Sequence, residues 1–497
     1  MPIPNEILKV ERPKNTVVIV YGKNKNLYAV RERVGCKYDN GRRIPQTGKT
    51  IGHIIDGTYV PTSTVVLPEP VSMSPVDLKD WGNVILCDRL AGGLYDELCK
   101  VYNPRDARKL YCASILRVCD HGIKDYELKD AYENSFLSEL YPGVALSKNT
   151  VSKFWEDIGK AYSKIVAYMR LRVAAVESSH HVLVDGTLKS NESSVNSLSD
   201  YSRKARLKNS RDISLLYAYD LELREPICSK CFPGNMPDPT SYGAFIKEYG
   251  INKGIIVGDK GFPSSVAKEH FLANEDLHYL NPLKRDSKFI DEYEMLNYEG
   301  QLAGHENIFF KRTYAKKEKK WLYSYRDASK AHKEEFGWLH RTSKNNDFNI
   351  DRFDDDWLMF GTILLESDLE MDALTAYQAY DSRWEIELVM RYYKQTCEFD
   401  ETRVQGDYSV IGSEFCNFLS SVISYRLIHE YEKTDLLKKM TYKKINNILA
   451  RAKKVRADGK TWALIKMNPS QEEVLQQLSL IPKPEPKRRG RKPKQQV

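Results

Sequence analysis

The chain has 497 residues, 41% of them hydrophobic, which is enough for about three domains with buried cores. Its formal net charge is +8, from 76 Lys and Arg against 68 Asp and Glu, so the placement of the charge matters more than its sum. The sequence has no apolar run of membrane-spanning length, and its start lacks a signal-peptide pattern, which predicts an intracellular, cytoplasmic protein. Nine scattered cysteines predict reduced thiols rather than a disulfide framework.

The first third of the chain contains two regions of different character. Short β-rich runs broken by turn residues fill residues 1–75 and predict a small antiparallel module. In residues 76–178 apolar side chains recur at intervals of three and four, which predicts a helical region.

Strand-like and helical runs alternate through the middle of the chain. The strand-like runs are HHVLVDGTLKS, ISLLYAYDLE, PICSKCFPG, KGIIVGDKGFPS, HYLNPLKR and, after residue 356, WLMFGTILLES. This alternation predicts a mixed sheet flanked by helices. Residues 286–355 contain the possible hairpin strands IFFKRTY and KKWLYSYRD, and we interpret them as a β-rich insertion. Residues 372–396 predict one long helix.

Two aspartates stand at the carboxyl ends of apolar strands. Asp185 ends the run VLVD and Asp259 ends IIVGD, and a turn glycine follows each within two residues. In open α/β sheets, ligands gather at such strand ends. Carboxylate oxygens suit Mg²⁺, and two such ions can activate a nucleophile and stabilise a leaving oxygen. The pair therefore predicts a metal centre.

The predicted long helix carries a polar and aromatic stripe. Tyr380, Arg383, Glu387 and Lys394 fall within roughly 60° of its circumference. One interpretation is a solvated face with an Arg383–Glu387 ion pair. The other makes Glu387 a third metal ligand and places its three neighbours along a DNA backbone, because Arg, Lys and Tyr all bind phosphate.

The spacing Y-(2)-R-(3)-E-(6)-K on this stripe resembles the signature of the DDE transposases of the bacterial insertion-sequence-four superfamily. VLVDGT around Asp185 resembles the family's first Asp segment, and VGDKGF at 257–262 resembles its second. FPGNMPD at 232–238 resembles the family's stretch between those acids. The resemblance covers about residues 175–430 and implies an α/β fold, with a ribonuclease-H-like catalytic core interrupted by a β-rich insertion.

The chemistry that this resemblance implies is Mg²⁺-dependent DNA cleavage at terminal inverted repeats, then transfer of the freed 3′-hydroxyls into target DNA. Asp185, Asp259 and Glu387 would be the catalytic residues and would hold two Mg²⁺ ions, with Mn²⁺ as a substitute. Tyr380, Arg383 and Lys394 would bind DNA phosphates. The partners would be double-stranded DNA and a second copy of the chain in a synaptic homodimer.

Some relatives in this superfamily pass through a hairpin at the transposon end, where a Trp from the insertion holds a flipped base. Trp321, in KKWLYSY, is the first candidate for this role in DNA binding, and Trp338 is a second. The alternative is that Trp321 simply packs within the hairpin, since KKWLYSY alternates as a half-buried strand does.

The carboxyl end is rich in Lys and Arg, with Glu485 as its only acid after residue 480. RRGRKP at 488–493 resembles the AT-hook, a minor-groove binding motif, with Arg489 and Arg491 as its candidate DNA-binding residues. The alternative is a disordered solubilising tail.

Together these patterns predict seven segments. They are an N-terminal β-rich module (1–75), a helical region (76–178), the first part of the core (179–285), the β-rich insertion (286–355), the second part of the core (356–432), a C-terminal helical region (433–480) and the basic tail (481–497). We expect the first two segments to bind DNA, the helical region at the transposon ends.

Two other functions stay open at this stage. A catalytically silent descendant would keep the fold and bind DNA without cutting it, and a host nuclease on the same fold would cut without joining. Fold alone does not choose among the three. For a transposase of this superfamily we expect a bacterial, nucleoid-associated location and no membrane partner.

Overall fold

The computed structural model describes residues 3–21, 28–39, 41–62, 76–191, 193, 195–201, 210–236, 238–259, 264–345, 347–391, 404–457, 459 and 461–483. The chain forms two compact units. The first comprises residues 1–77 and 457–460, and the second comprises residues 78–456 and 461–497.

The first unit is a four-stranded antiparallel sheet preceded by a short helix, which confirms the predicted antiparallel module. Its elements are α1 (Asn5–Leu8), β1 (Thr16–Val20), β2 (Tyr28–Asp39), β3 (Arg42–Ile55) and β4 (Thr58–Pro61), and the strand order is β1-β2-β3-β4. Its small core is built from Val18, Tyr28, Val30 and Ile54.

A strand and seven helices follow in residues 76–173, so the predicted helical region is confirmed. They are β5 (Val76–Asp80), α2 (Gly82–Leu90), α3 (Leu94–Cys99), α4 (Pro104–Cys119), α5 (Leu128–Glu133), α6 (Leu137–Leu140), α7 (Lys148–Lys160) and α8 (Tyr162–Val173). Asn103 caps α4 by accepting from the backbone N–H of Asp106, and Pro104 follows at the first helical position.

A mixed sheet forms the centre of the second unit. Its strands and the intervening helices are β6 (His181–Ser190), β7 (Asp200–Tyr201), β8 (Arg211–Asp220), β9 (Glu225–Pro233), α9 (Asp238–Tyr249), β10 (Gly254–Val257), α10 (Lys268–Ala273), β11 (Leu277–Pro282), α11 (Phe289–Glu292), β12 (Gly300–Leu302), β13 (His305–Ala315), β14 (Lys320–Asp327), α12 (Ala328–Asn345), α13 (Ile350–Trp357) and β15 (Thr362–Ser367). The order is β12-β13-β14-β15-β11-β10-β6-β8-β7, with β9 also paired to β8. The fold is thus α/β, a mixed sheet with helices.

The strands at the middle of this sheet run in both directions. β6 is parallel to β10, and β10 is parallel to β11, whereas β8 is antiparallel to β6 and β9 is antiparallel to β8. β10 ends at Val257, opposite Leu183, whereas β6 continues beyond this point to Ser190.

The segment 286–355 is only partly the β-rich insertion that the sequence predicted. The hairpin of β13 and β14 is present, and β14 also pairs with β15, so these strands extend the central sheet. The second half is helical. The Asp327 carboxylate accepts hydrogen bonds from the N–H groups of Ser329 and Lys330, which fixes the start of α12 and ends the strand before it.

The long helix predicted over 372–396 is in fact interrupted. Its first part is α14 (Ala373–Asp381), its second part is α15 (Trp384–Arg391), and Ser382 and Arg383 form the break. The hydroxyl of Ser382 donates to the Gln378 carbonyl at 2.7 Å, a local bond of the kind that bends helices. The N–H of Arg383 bonds to the Tyr380 carbonyl, three residues back, rather than four.

A buried helix follows and supports the sheet. It is α16 (Asp407–Lys433), and after it come α17 (Leu436–Lys439), α18 (Tyr442–Arg451), β16 (Lys453–Ala457), β17 (Ala463–Leu464) and α19 (Pro469–Gln477). α16 crosses α7 at very short range, because Gly159 and Gly412 stand at the contact. A Cβ on Gly412 would lie 2.0 Å from the Trp155 carbonyl oxygen, so glycine is required there.

None of the helices in the described ranges is long and apolar enough to cross a membrane.

Candidate active site

Asp185 and Asp259 lie on or just after neighbouring strands, but Asp185 is not at a strand end as the sequence predicted: it is the fifth residue of β6, which stays paired with β8 as far as Ser190. Val257, the last residue of β10, pairs with Leu183 on β6. Continuing both chains by two residues from this pair reaches Asp259 and Asp185. Asp185 lies within β6 and Asp259 lies just past the end of β10, and the charge of Asp259 acts on the Asp185 carboxyl, so the two carboxylates are close together.

Glu387 joins them from α15. This helix packs against β6, and Ile386 is fully buried beside the exposed Glu387. The Arg383 guanidinium lies between the acids, with Nη2 at 3.0 Å from Glu387 Oε1 and Nη1 at 4.0 Å from Asp259 Oδ1. The structure therefore brings the three predicted carboxylates together around one arginine.

The charges within this group interact strongly. The pKa of Asp185 is raised to about 6, chiefly by burial and in smaller part by the carboxylates of Asp259 and Glu387, whereas the Gly186 N–H and the Arg383 guanidinium oppose the rise. The Gly186 N–H donates to Asp185 Oδ1 at 2.7 Å. An ionised Asp185 is therefore costly here unless a further positive charge is close.

Tyr380 stands behind the arginine at the end of α14. The Arg383 guanidinium carbon lies 5.8 Å from the centre of the Tyr380 ring, and burial raises the pKa of the tyrosine hydroxyl. Tyr380 therefore stays neutral and can donate a hydrogen bond to a phosphate oxygen.

A cavity of about 220 Å³ opens beside Glu387 and Arg383, and the sequence did not reveal it. Its aromatic lining residues come from three elements and are Tyr325, Tyr377, Tyr380 and Trp384. The rings of Tyr325 and Tyr377 are 5.2 Å apart. Trp384 is 53% exposed, so one of its faces is open to a planar partner. Aromatic walls beside a cation suit the stacking of a nucleobase.

One sequence signal could have led to part of this cavity. Trp321, Tyr323 and Tyr325 alternate along β14 and share a face. The Tyr323 hydroxyl donates to the buried Met371 carbonyl, so it is committed to the core. Tyr325, at the far end of the strand, is the member of the row that reaches the cavity. Tyr377 and Trp384 could be placed there only by the three-dimensional fold.

Trp321 is not part of the carboxylate cluster. It lies on β14, with the Arg312 guanidinium 4.0 Å from its ring centre and the Tyr314 ring 5.1 Å away. At about 3.3 Å per residue, it stands roughly 13 Å along the strand from Tyr325. Trp338 lies on α12, where its indole N–H donates to Asp356 at 2.9 Å.

Three further predicted DNA-binding residues, Lys394, Arg489 and Arg491, lie outside the described residues.

A second group of possible metal ligands lies at the other end of β6. His180, Asp220 and Glu222 have ligand atoms within 4.8 Å of one another. The partners are internal: His180 Nδ1 lies 2.8 Å from Asp220, and the other Asp220 oxygen accepts from the N–H groups of Glu222 and Leu223. We interpret this group as a link between β6 and the end of β8.

The carboxylate cluster fits divalent metal ions better. Its donors are all oxygen atoms, which suits hard cations such as Mg²⁺, and two of the three side chains, Asp259 and Glu387, are about half exposed and so accessible to an ion. The raised pKa of Asp185 also marks a site where added positive charge is favourable.

Comparison with known proteins finds a family model that covers this site. Residues 178–410 match the model of the transposase DDE domain, and the matched span includes Asp185, Asp259 and Glu387. This match over just under half of the chain supports a DNA-cleaving and strand-transferring enzyme that carries a transposase DDE domain.

Structure comparison adds only a distant likeness. The chain is similar to the piggyBac transposase in a cryo-EM structure of its synaptic complex with hairpin DNA, at 12% identity and a TM-score of 0.39, over 74% of this chain and 80% of that chain. No curated protein matches the chain.

Proposed function

We propose that the protein is the transposase of a bacterial insertion sequence, of the insertion-sequence-four superfamily. It would cleave DNA at the terminal inverted repeats of its element and join the freed 3′-hydroxyls to target DNA. The observation that carries this proposal is the convergence of Asp185, Asp259 and Glu387 around Arg383 within the transposase DDE domain.

In this proposal Asp185, Asp259 and Glu387 hold two Mg²⁺ ions, or Mn²⁺ in their place. Bound there, the ions would activate the attacking water or hydroxyl and stabilise the leaving oxygen. Arg383 neutralises the carboxylates while no DNA is bound, and its planar fork then turns to a phosphate of the scissile strand. The Tyr380 hydroxyl donates a hydrogen bond to a neighbouring phosphate, and Lys394 adds a positive charge farther along the DNA strand.

Two further parts of the proposal concern fold and assembly. The mixed strand order β9-β8-β6-β10-β11, with helices packed on it, supports a ribonuclease-H-like core.

A homodimer in the synaptic complex follows from the chemistry, because two transposon ends must be held together for paired insertion. The location would be the bacterial cytoplasm, at the nucleoid.

An assay of the full-length protein on DNA carrying the element's own ends, with Mg²⁺ and a target plasmid, tests this proposal. We expect cleavage at the ends and joined products in which both ends enter the target. Cleavage without joining would replace the proposal by the host nuclease. Tight DNA binding without either reaction would replace it by the silent DNA-binding descendant.

If cleavage proceeds through a hairpin, we propose that the flipped base stacks in the cavity lined by Tyr325, Tyr377 and Trp384, rather than on Trp321. The cavity adjoins Glu387, and the open face of Trp384 can receive a planar ring. The base would leave the helical stack at a cost of a few kcal/mol that aromatic contact offsets.

Under this hypothesis Trp384→Ala slows hairpin formation by roughly tenfold or more, because stacking on an aromatic side chain contributes about 1–3 kcal/mol per base. An abasic nucleotide at the flipped position needs no stacking, so it should restore the rate of the variant. Trp321→Ala is the comparison, and we expect no such rescue. Equal losses for Trp384→Ala on intact and abasic DNA, or rescue of Trp321→Ala instead, would reject the cavity.

A further inference from the structure

The hairpin of β2 and β3 projects beyond the sheet of the first unit. β1 pairs only with Tyr28–Glu32 of β2, and β4 pairs only with Gly52–Ile55 of β3. In the described structure, the part of the hairpin from the residue pair Gly35/Gln46 to the tip therefore has only two strands, with no third strand beside it. We call residues 33–49 the β arm.

The β arm has little to hold it in place within the protein. Val34 and Tyr38 are 66% and 70% exposed, and Ile44 is also exposed. A two-stranded hairpin without a packed face is at best marginally stable in water. An arm of this kind is therefore expected to gain a partner that covers it.

The charge of the β arm indicates which partner that is. The arm carries five cations and Asp39 as its one acid, and the cations are Arg33, Lys37, Arg42, Arg43 and Lys49. All but Arg33 are exposed. None of the ion pairs recorded in the described ranges involves any of the five. Such an excess of unpaired positive charge is complementary to the phosphates of a nucleic acid.

Some of the cations share one face of the arm with apolar groups, whereas Lys37 and Arg42 lie on the other face. Tyr38 pairs across the strands with Arg43, and Cys36 with Pro45, so these side chains point the same way. Arg33 also reaches this face, because its Nη2 donates to Cys36 Sγ at 3.1 Å. Register shifts near Arg33 mark bulges, which increase the twist of the ribbon.

We propose that the β arm enters the major groove of duplex DNA, with its cations on the flanking phosphates and Tyr38 and Val34 toward the bases. A two-stranded ribbon fits a major groove about 12 Å wide, where apolar side chains can contact thymine methyl groups. The inference rests on the proposed function for the identity of the DNA, the transposon end, and it assigns the contact to one segment of the first unit.

The salt dependence of DNA binding tests the proposal. The variant changes Lys37, Arg42, Arg43 and Lys49 to Gln in the full-length protein, and binding to an end-containing duplex is measured without metal over a range of salt. Each lost phosphate contact lowers the slope of log K against log salt by about 0.9, so we expect a fall of about 3 to 4. A matched control changes the exposed Lys438, Lys439, Lys443 and Lys444 to Gln and should leave the slope within about one unit of wild type.

A slope unchanged by the arm substitutions would overturn the proposal. So would a change in the oligomeric mass of the free protein with unchanged DNA affinity, because the arm would then join two copies of the chain. As an independent measurement, a photo-crosslinking amino acid at Tyr38 should label DNA, and labelling of a second protein chain instead would also overturn it. These binding measurements need no catalysis. The β-arm proposal can therefore fail while strand transfer is observed, and it can hold when strand transfer is not observed.

Discussion

Replacing Glu387 by Gln is expected to abolish cleavage and strand transfer while leaving DNA binding intact. The substitution keeps the size and shape of the side chain but removes its charge, and with it one of the three carboxylates grouped around Arg383. Metal ions contribute several kcal/mol to such reactions, so loss of a ligand should reduce the rate on the order of 10³-fold or more. The measurement is the rate of strand transfer at saturating DNA.

The same helix offers a matched control for this experiment. Glu385 lies two residues earlier, and its carboxylate accepts a hydrogen bond from the Tyr219 hydroxyl at 3.4 Å, away from the cluster. Gln can accept the same bond, so Glu385→Gln should retain activity within a few-fold. Equal activity of the Glu387 variant and the control would contradict the role given to Glu387.

The largest effect on stability is expected from Glu225→Gln. Glu225 is mostly buried between two arginines, with Oε1 at 2.6 Å from Arg172 and Oε2 at 2.7 Å from Arg426. Arg172 is only 4% exposed and has two carboxylate partners, Glu225 and Glu97, the latter at 3.0 Å, so the substitution removes one of the two negative charges that balance a buried guanidinium. Removing one partner of such a pair costs about 3 kcal/mol or more, measured as the free energy of unfolding in urea at pH 7.

The control for this prediction is Glu432→Gln, because Glu432 pairs with Arg224 on the surface at 3.0 Å, where both side chains are about half exposed. Its cost should stay below about 1 kcal/mol. If the two variants were equally stable, the buried network would not have the role that we assign to it.

The effect of Glu225 should also depend on pH. Burial raises the pKa of Glu225, but the hydrogen bonds and charges of Arg426 and Arg172 outweigh it, and the net pKa is lowered. The ionised carboxylate therefore stabilises the fold above the pKa of an unfolded glutamate. That contribution is lost as the pH falls through the folded pKa, so wild type and Glu225→Gln should converge in acid.

The strands that carry two catalytic candidates could be predicted because local patterns determine them. An apolar run that ends in Asp predicts a buried strand that carries the acid, and Asp259 follows the end of β10 by two residues as expected. At Asp185 the predicted strand end is wrong, because β6 continues through Gly186 to Ser190 and stays paired with β8. The pairing of β6 and β10 as parallel neighbours is not local, yet it follows from the alternation of strands and helices. The spacing of Arg383 and Glu387, four residues apart, likewise predicted their ion pair.

The features that sequence reasoning missed depend on contacts between distant segments or on single hydrogen bonds. Periodicity predicted one helix through Ser382, because it does not register the hydroxyl bond to Gln378 that accompanies the break. The helical half of the insertion was missed because its first turn is fixed by the capping side chain of Asp327, while its surface is mostly polar. The aromatic cavity combines residues from β14, α14 and α15, which no single pattern connects.

The central claim is that Asp185, Asp259 and Glu387 form one metal-binding catalytic centre, and a change of metal preference tests it most directly. Asp259→Cys is the suitable variant, because this side chain is 47% exposed and accommodates a thiol without repacking. Mg²⁺ requires oxygen ligands, whereas Mn²⁺ tolerates sulfur better. We predict that the variant is inactive in strand transfer with Mg²⁺ and regains activity with Mn²⁺. Full activity with Mg²⁺, or equal inactivity with both ions while DNA binding and folding are retained, would contradict the claim.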